Sequence, residues 1–348
     1  MGSSQTVAVF GAYGHTGRFV VAELRERGFS PLLLGRDPDK LRALATGLEY
    51  RVASADDPAS LDAGLTGAAA VVNCAGPFAS TAAPVIEAAL RAGIPYVDVA
   101  AEIEANADTF AHFAERARNA GVAVVPAMAF FGGLGDLLVT TAMGDWSAAD
   151  EAQVAYGLSS WHPTAGTLAA GAVSRDRRDG RRVRYTGGRL EYHPARGELP
   201  VLEWDFPTGT RRVLGDFTMA DVVTVPSHLA IPEVRTYMST EAARDLAAPG
   251  AAAPTAADES GRSDQTFTVD VVVRSGGVRR RVVAHGRDIY AVSAPLAVEA
   301  VQRLLDGRTR TSGVASAGRI FDAPDFLRAL AAYISIEPVE ESHAPTDQ

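Results

Sequence analysis

Lysine is almost absent from this chain of 348 residues, and Lys40 is the only one. Mechanisms that need a catalytic lysine further along are therefore closed, including the Tyr-x-x-x-Lys pair of short-chain dehydrogenases. Cysteine is equally scarce: Cys74 stands alone, which excludes an internal disulfide and a cysteine-based metal site. With no basic neighbour in sequence, Cys74 reads as a small buried hydrophobe rather than a nucleophile. No apolar run is long enough to span a bilayer, and no charged-then-apolar leader precedes the first apolar segment. A cytoplasmic protein with no membrane partner is expected. Positive charge is in deficit, with a formal net charge of -9, which disfavours a nucleic-acid binder even though arginines crowd between Arg175 and Arg184.

What is present begins with Thr6 to Gly17, TVAVFGAYGHTG. A short apolar run breaks into glycines at 11, 14 and 17, and the amphipathic run TGRFVVAELRERG follows. That order predicts strand, glycine turn and helix, a cradle whose free helix N–H groups face a pyrophosphate. The next strand-like run ends at Arg36, nineteen positions after Gly17. An acidic residue there would hold an NAD ribose, whereas an arginine suits the 2′-phosphate of NADP(H). Lys40, one turn into the next helix, is open to two readings, a phosphate contact or a solvated side chain.

Strand-like and helix-like segments continue to alternate up to the run GVAVVP, which implies a parallel, doubly wound sheet. Ligands of such sheets lie beyond the carboxyl ends of the strands. The turn Asn73-Cys74-Ala75-Gly76-Pro77 should therefore flank the cofactor. The expected cofactor-binding residues are Gly11, Tyr13, Gly14, His15, Thr16, Gly17, Arg36, Lys40, Ala75, Gly76 and Pro77. Asp98 and Glu102 stand near the same sheet edge, placed to contact substrate or cap a helix. A glycine-rich loop at 129–135 should close the cofactor region, with Asp136 capping the helix after it.

From about Glu151 the pattern changes to strand-like runs with polar connections. Gly187-Gly188 and Ser275-Gly276-Gly277 read as hairpin turns, and the run VRRRVVAHG as an edge strand at one end. A mostly antiparallel sheet is expected, covering the nicotinamide and supplying the substrate pocket. The pocket residues are expected to be Glu102, Phe130, Phe131, Gly132 and Trp161. Hydride chemistry belongs to the cofactor, but a proton donor must come from the protein for an enone or a ketone. With lysine absent, the candidates are Tyr156, His162, Tyr185, Tyr192, His193 and His228. Trp161-His162 follows a strand and precedes the small-residue run PTAGTLAAGAVS, so His162 and then Tyr156 lead.

GAYGHTGR, NCAGPF, YVD with a glutamate soon after, and a glycine-rich loop closing on Gly135-Asp136-Leu137 resemble, in that order, the saccharopine dehydrogenase-like NADP-binding oxidoreductases. GRDIYAVSAPLAVEAVQRLLDG and GVASAGRIFDAPDFLRAL extend the resemblance towards the end of the chain, while 145–285 match loosely. The resemblance implies that the late helices return to the cofactor domain. The expected fold is then α/β: a Rossmann-type doubly wound parallel sheet with an inserted α+β domain built on a mostly antiparallel sheet. We expect residues 1–144 with about 290–335 to bind NADP(H), and about 145–289 to serve substrate binding and dimerisation, with a flexible loop at 247–265. Residues 336–348 are expected to form a disordered tail. The implied function is an NADPH-dependent reductase of a C=N or C=C bond in a small or carrier-linked metabolite, working as a homodimer. An NADP-binding sensor without turnover is the alternative, and a cavity plugged by Phe130, Phe131 or Trp161 would favour it.

Overall fold

The computed structural model describes residues 4–343, which form two sheets joined by one apolar core. In the first half strands and helices alternate: β1 (Thr6–Phe10), α1 (His15–Glu26), β2 (Ser30–Gly35), α2 (Pro38–Leu44), β3 (Glu49–Val52), α3 (Pro58–Leu65), β4 (Ala70–Asn73), α4 (Phe78–Ala92), β5 (Tyr96–Asp98), α5 (Ile103–Ala120) and β6 (Ala123–Val125). The strands pair in parallel in the order β3-β2-β1-β4-β5-β6. The order reverses between β1 and β4, so a crevice opens at their carboxyl ends. Alternation along β1 sends Val7 and Val9 into one core and Ala8 and Phe10 into another, so both faces of the sheet are covered.

Helix starts in this half are chemically distinct. The side chains of Asp37 and Asp57 cap α2 and α3, each ahead of a proline in the first turn. By contrast α1 has Gly14 at its cap, no side-chain cap and no acid in its first turn. Its first N–H groups are left for an anion.

After α6 (Gly135–Met143) the chain builds a second sheet from β7 (Glu151–Leu158), then the helix α7 (Ala165–Arg177), then β8 (Arg182–Thr186), β9 (Arg189–His193), β10 (Val201–Phe206), β11 (Gly209–Leu214), β12 (Glu233–Ser239), β13 (Thr266–Ser275) and β14 (Val278–Arg287). Pairing is antiparallel except between β12 and β7, which run parallel. Both glycine pairs named above make hairpins, β8–β9 and β13–β14. The chain then returns to the first sheet: the helix Ser293–Leu305 packs on α1, and β15 (Gly313–Val314) extends that sheet beside β6.

Three local expectations are corrected. β14 is no edge strand, because β16 (Ile334–Ile336) and β17 (Glu340–His343) pair along it. Residues 340–343 are thus a strand rather than part of a disordered tail, drawn in by unpaired backbone groups on β14 and by the Arg280–Glu341 ion pair. Residues 344–348, also placed in that tail, lie outside the described residues. Asp136 does not cap α6; it sits inside the helix, accepting from Gly318 N and facing His228 Nε2 at 2.8 Å. The segment 247–265 has almost no regular structure, and its end is tied down by Gln265, which accepts from Ile289 N.

Candidate active site

A single cavity of about 830 Å³ runs from the glycine turn, past the ends of β4 and β5, to the inner face of α7. Its first wall is the turn after β1. Gly11 has φ +82°, and a Cβ there would lie 2.8 Å from the Ala75 backbone. A Cβ on Gly17 would run into the carbonyl oxygen of Gly11. The glycines thus let α1 start close against β1 and β4, and the uncapped N-terminus opens on the cavity beside His15 and Thr16. These features fit a dinucleotide pyrophosphate.

At one end Arg36 lines the cavity, is exposed, and makes no ion pair among the described residues. Tyr13 leans over Gly35 beside it. Lys40 stands outside the lining, 3.4 Å from the Asp37 carboxylate and 5.7 Å from the Tyr13 ring, so the solvated reading describes it better than the phosphate contact. Ala75 and Gly76 line the middle of the cavity, whereas Pro77 is turned out of it at the start of α4. Gly17 is likewise behind the lining, acting through helix packing rather than contact.

Glu102 does face the cavity, but its carboxylate is occupied. It accepts from Phe78 N at 2.6 Å and Ala79 N at 3.0 Å, capping α4 from a neighbouring strand end. Burial raises its pKa, and those two N–H groups oppose the rise. Cys74 also lines the cavity, with its thiol pushed well up by burial, so it is not a thiolate.

Phe130, Phe131 and Trp161 form an aromatic floor, with the Phe131 ring centroid 4.8 Å from Phe130 and 5.1 Å from Trp161. The floor does not plug the cavity, which continues to α7. Gly132 is not part of it: with φ +92°, it is packed where a Cβ would meet Ala127 and Ala220 at 2.9 Å.

Neither leading proton-donor candidate reaches this space. Trp161 and Pro163 are buried, which leaves His162 between them turned to solvent. Tyr156 is fully buried beneath the floor, because it shares the inner face of β7 with Val154 and Leu158. Its hydroxyl donates to Asp221, with both carboxylate oxygens at 2.9 Å. His228 is spent on Asp136, and Tyr185, Tyr192 and His193 lie on the β8–β9 hairpin, outside the cavity lining.

The residue that sequence reading missed is Tyr290, between β14 and the helix Ser293–Leu305. It lines the cavity, and its hydroxyl receives Trp161 Nε1–H at 3.1 Å and Thr164 N–H at 3.3 Å. Ser293 was missed too. Its hydroxyl accepts from Phe130 N and donates to Ile289 O, tying the aromatic floor to the returning chain. Neither sits in a pattern that names a role; the only signal was their place in GRDIYAVSAP.

With this geometry in view, residues 7–125 match the family described as the saccharopine dehydrogenase NADP binding domain. The matched description names NADP as the bound cofactor, and Arg36 directly follows β2. A probable mitochondrial saccharopine dehydrogenase-like oxidoreductase of Arabidopsis thaliana is 30% identical over 142 residues, 36% of this chain and 31% of that protein. A trans-acting enoyl reductase of Mycobacterium ulcerans (strain Agy99) is 28% identical over 133 residues, 36% of this chain and 32% of that one. The matched part thus spans about a third of the length of these curated relatives. Over the whole molecule, apo saccharopine dehydrogenase (L-Glu forming) from Saccharomyces cerevisiae shares the fold, with a TM-score of 0.67 at 10% identity, covering 97% of this chain and 100% of that one.

Proposed function

We propose that the protein is an NADPH-dependent oxidoreductase that reduces a C=N or C=C bond of a small or carrier-linked metabolite. The observation that carries this reading is the continuity of the cavity. The same space touches Arg36 and the glycine turn at one end and an apolar floor and a helix of the second half at the other. A cofactor lying along the turn would place its nicotinamide end towards Phe130 and Phe131, with room for an acceptor beneath α7. NADPH supplies the hydride; the chain's task is to hold the acceptor and exclude water. The open floor supports turnover over the sensor reading.

The lining near the floor also bears on the acceptor. Glu102 is committed to the backbone of α4, and the Tyr290 hydroxyl to the start of α7. An iminium carbon draws hydride by its own positive charge and needs no strong acid, so this lining suits C=N reduction better than reduction of a ketone. The reading extends to a cytoplasmic protein that works as a homodimer, and light scattering on the purified chain would check the dimer.

Calorimetric titration with NADPH and NADH tests the cofactor part. Wild type should prefer NADPH, and Arg36→Ala should weaken NADPH about tenfold or more, a charge-assisted hydrogen bond being worth about 1.5–3 kcal/mol, with NADH little changed. Equal losses for both cofactors would remove Arg36 as the discriminator. A panel of imines and enoyl thioesters, followed by loss of NADPH absorbance, then separates the two acceptor classes.

A further inference from the structure

The helix α7 roofs the acceptor end of the cavity yet is barely packed. Of its 13 residues only Ser174 is buried, although Thr167, Leu168 and Arg175 all line the cavity and Leu168 is 48% exposed. Helical segments gain most of their stability from an apolar face packed on something, and α7 has little of that. It is held at its two ends instead. At the C-terminal end Arg177 pairs with Asp108 at 2.7 Å, and Arg178 lies 3.5 Å from Glu104, whose buried oxygens have no hydrogen-bond partner. Asp179 and Gly180 follow with φ +50° and +68°, a sharp turn out of the helix.

At the N-terminal end Thr164 Oγ1 caps the helix by accepting from Thr167 N, Trp161 N donates to Asp245, and one hydroxyl gathers the rest. Besides Trp161 and Thr164, the Tyr290 hydroxyl shares a hydrogen bond with Thr167 Oγ1 at 3.0 Å and faces the His162 carbonyl at 3.3 Å. Tyr290 is itself rigidly based. Asp288 is fully buried and accepts from Tyr290 N, Ala291 N and Ser263 N. The other side of the Tyr290 ring meets the cofactor cradle: His15, first residue of α1, packs edge-on against it with ring centroids 5.2 Å apart. His15 Nε2 is buried without a hydrogen-bond partner, and burial keeps the ring neutral by lowering its pKa. The His15 side chain also lines the cavity, where a bound cofactor can meet the imidazole.

We propose that Tyr290 is a positioning residue that transmits cofactor occupancy at His15 to α7, so that the lid over the acceptor closes only on the NADP(H)-bound protein. A cofactor oxygen that pairs with His15 fixes the imidazole against Tyr290, and the steadied hydroxyl holds Trp161, Thr164 and Thr167 in place. The differential contact is the one at His15, which exists only with cofactor bound, as a population shift requires. Acceptors therefore bind second. This inference rests on the NADP(H) reading above, and its test separates the two.

Hydrogen–deuterium exchange of the full chain, with and without saturating NADPH, reads the lid directly, beside calorimetry for cofactor affinity. In wild type, NADPH should slow exchange across residues 164–178 several-fold. Tyr290→Phe keeps the ring on His15 and removes the hydroxyl: exchange in that segment should be fast and insensitive to NADPH, while NADPH still binds, its affinity reduced by no more than the several-fold protection that is lost. Thr167→Val, which deletes one partner of the hydroxyl and leaves Tyr290 intact, should show a partial loss and serves if Tyr290→Phe does not fold. NADPH that binds wild type without protecting 164–178, or protects it equally in Tyr290→Phe, overturns the coupling and leaves the cofactor reading standing. No NADPH binding at all overturns both.

Discussion

Asp221 lies wholly inside the protein, and the Tyr156 hydroxyl is the partner of both its oxygens. Burial lifts its pKa from 3.8 to about 7, with Tyr156 opposing the rise and the nearby Asp136 adding to it. The folded state thus binds this proton more tightly than the unfolded chain. The stability it contributes is complete below about pH 4 and is lost as pH rises through about 7. Asp221→Asn keeps an acceptor for Tyr156 and removes the charge. In melts across this range, the variant should gain on wild type as the pH rises; a melting-temperature difference that stays constant would rule the assignment out. The same pair explains why Tyr156 misled sequence reading. A tyrosine near the end of a strand can point to a cleft or to the core, and the pleat of β7 points this one to the core. His162 failed for the complementary reason, since its buried neighbours Trp161 and Pro163 turn it outward. Tyr290 could not be found from periodicity, because its role comes from partners more than a hundred positions away.

At the level of elements, the site depends on how helices begin. α2 and α3 carry their own aspartate caps, α1 leaves its N-terminus to the cofactor, and α4 borrows Glu102 from beyond β5. The last arrangement locks the Ala75–Gly76 turn that α4 follows, since that turn is held between the end of β4 and the capped first turn. Glu102→Ala should cost about 1–2 kcal/mol, the usual value of a lost cap. It should also weaken NADPH binding, measured by chemical denaturation and calorimetry on the same sample. A stability loss with unchanged cofactor affinity would confine Glu102 to the fold. The glutamate was legible as a residue near the sheet edge. Which helix it caps was not, because that requires β4 and β5 to be neighbours.

At the scale of the molecule, the two halves share an interior. One apolar cluster passes from Val7, Val9 and Val72 on the first sheet through Phe130, Leu134 and Leu138 to Val154, Val269 and Val271 on the second. Halves that share a core unfold together. Trp146, Trp161 and Trp204 all follow α6, in the part that builds the second sheet, while α1, α4 and α5 dominate the helix signal of the part before it. Tryptophan fluorescence and far-ultraviolet circular dichroism should therefore give coincident thermal transitions. Two separated midpoints would show the halves to be independent.

The sequence by itself determined the cofactor half, since its signals are local. Glycines at 11, 14 and 17 act on a turn between adjacent elements, Arg36 follows its own strand, and alternating apolar runs make a parallel sheet whose ligands must lie at one edge. The acceptor half was decided by tertiary structure alone. Which side chains face the cavity depends on the pleat of β7, on the return of the chain after β14, and on a loosely packed helix held over the opening at its two ends, at one of them through the Tyr290 hydroxyl. Those contacts join residues far apart in the chain, and no spacing rule along the sequence encodes them.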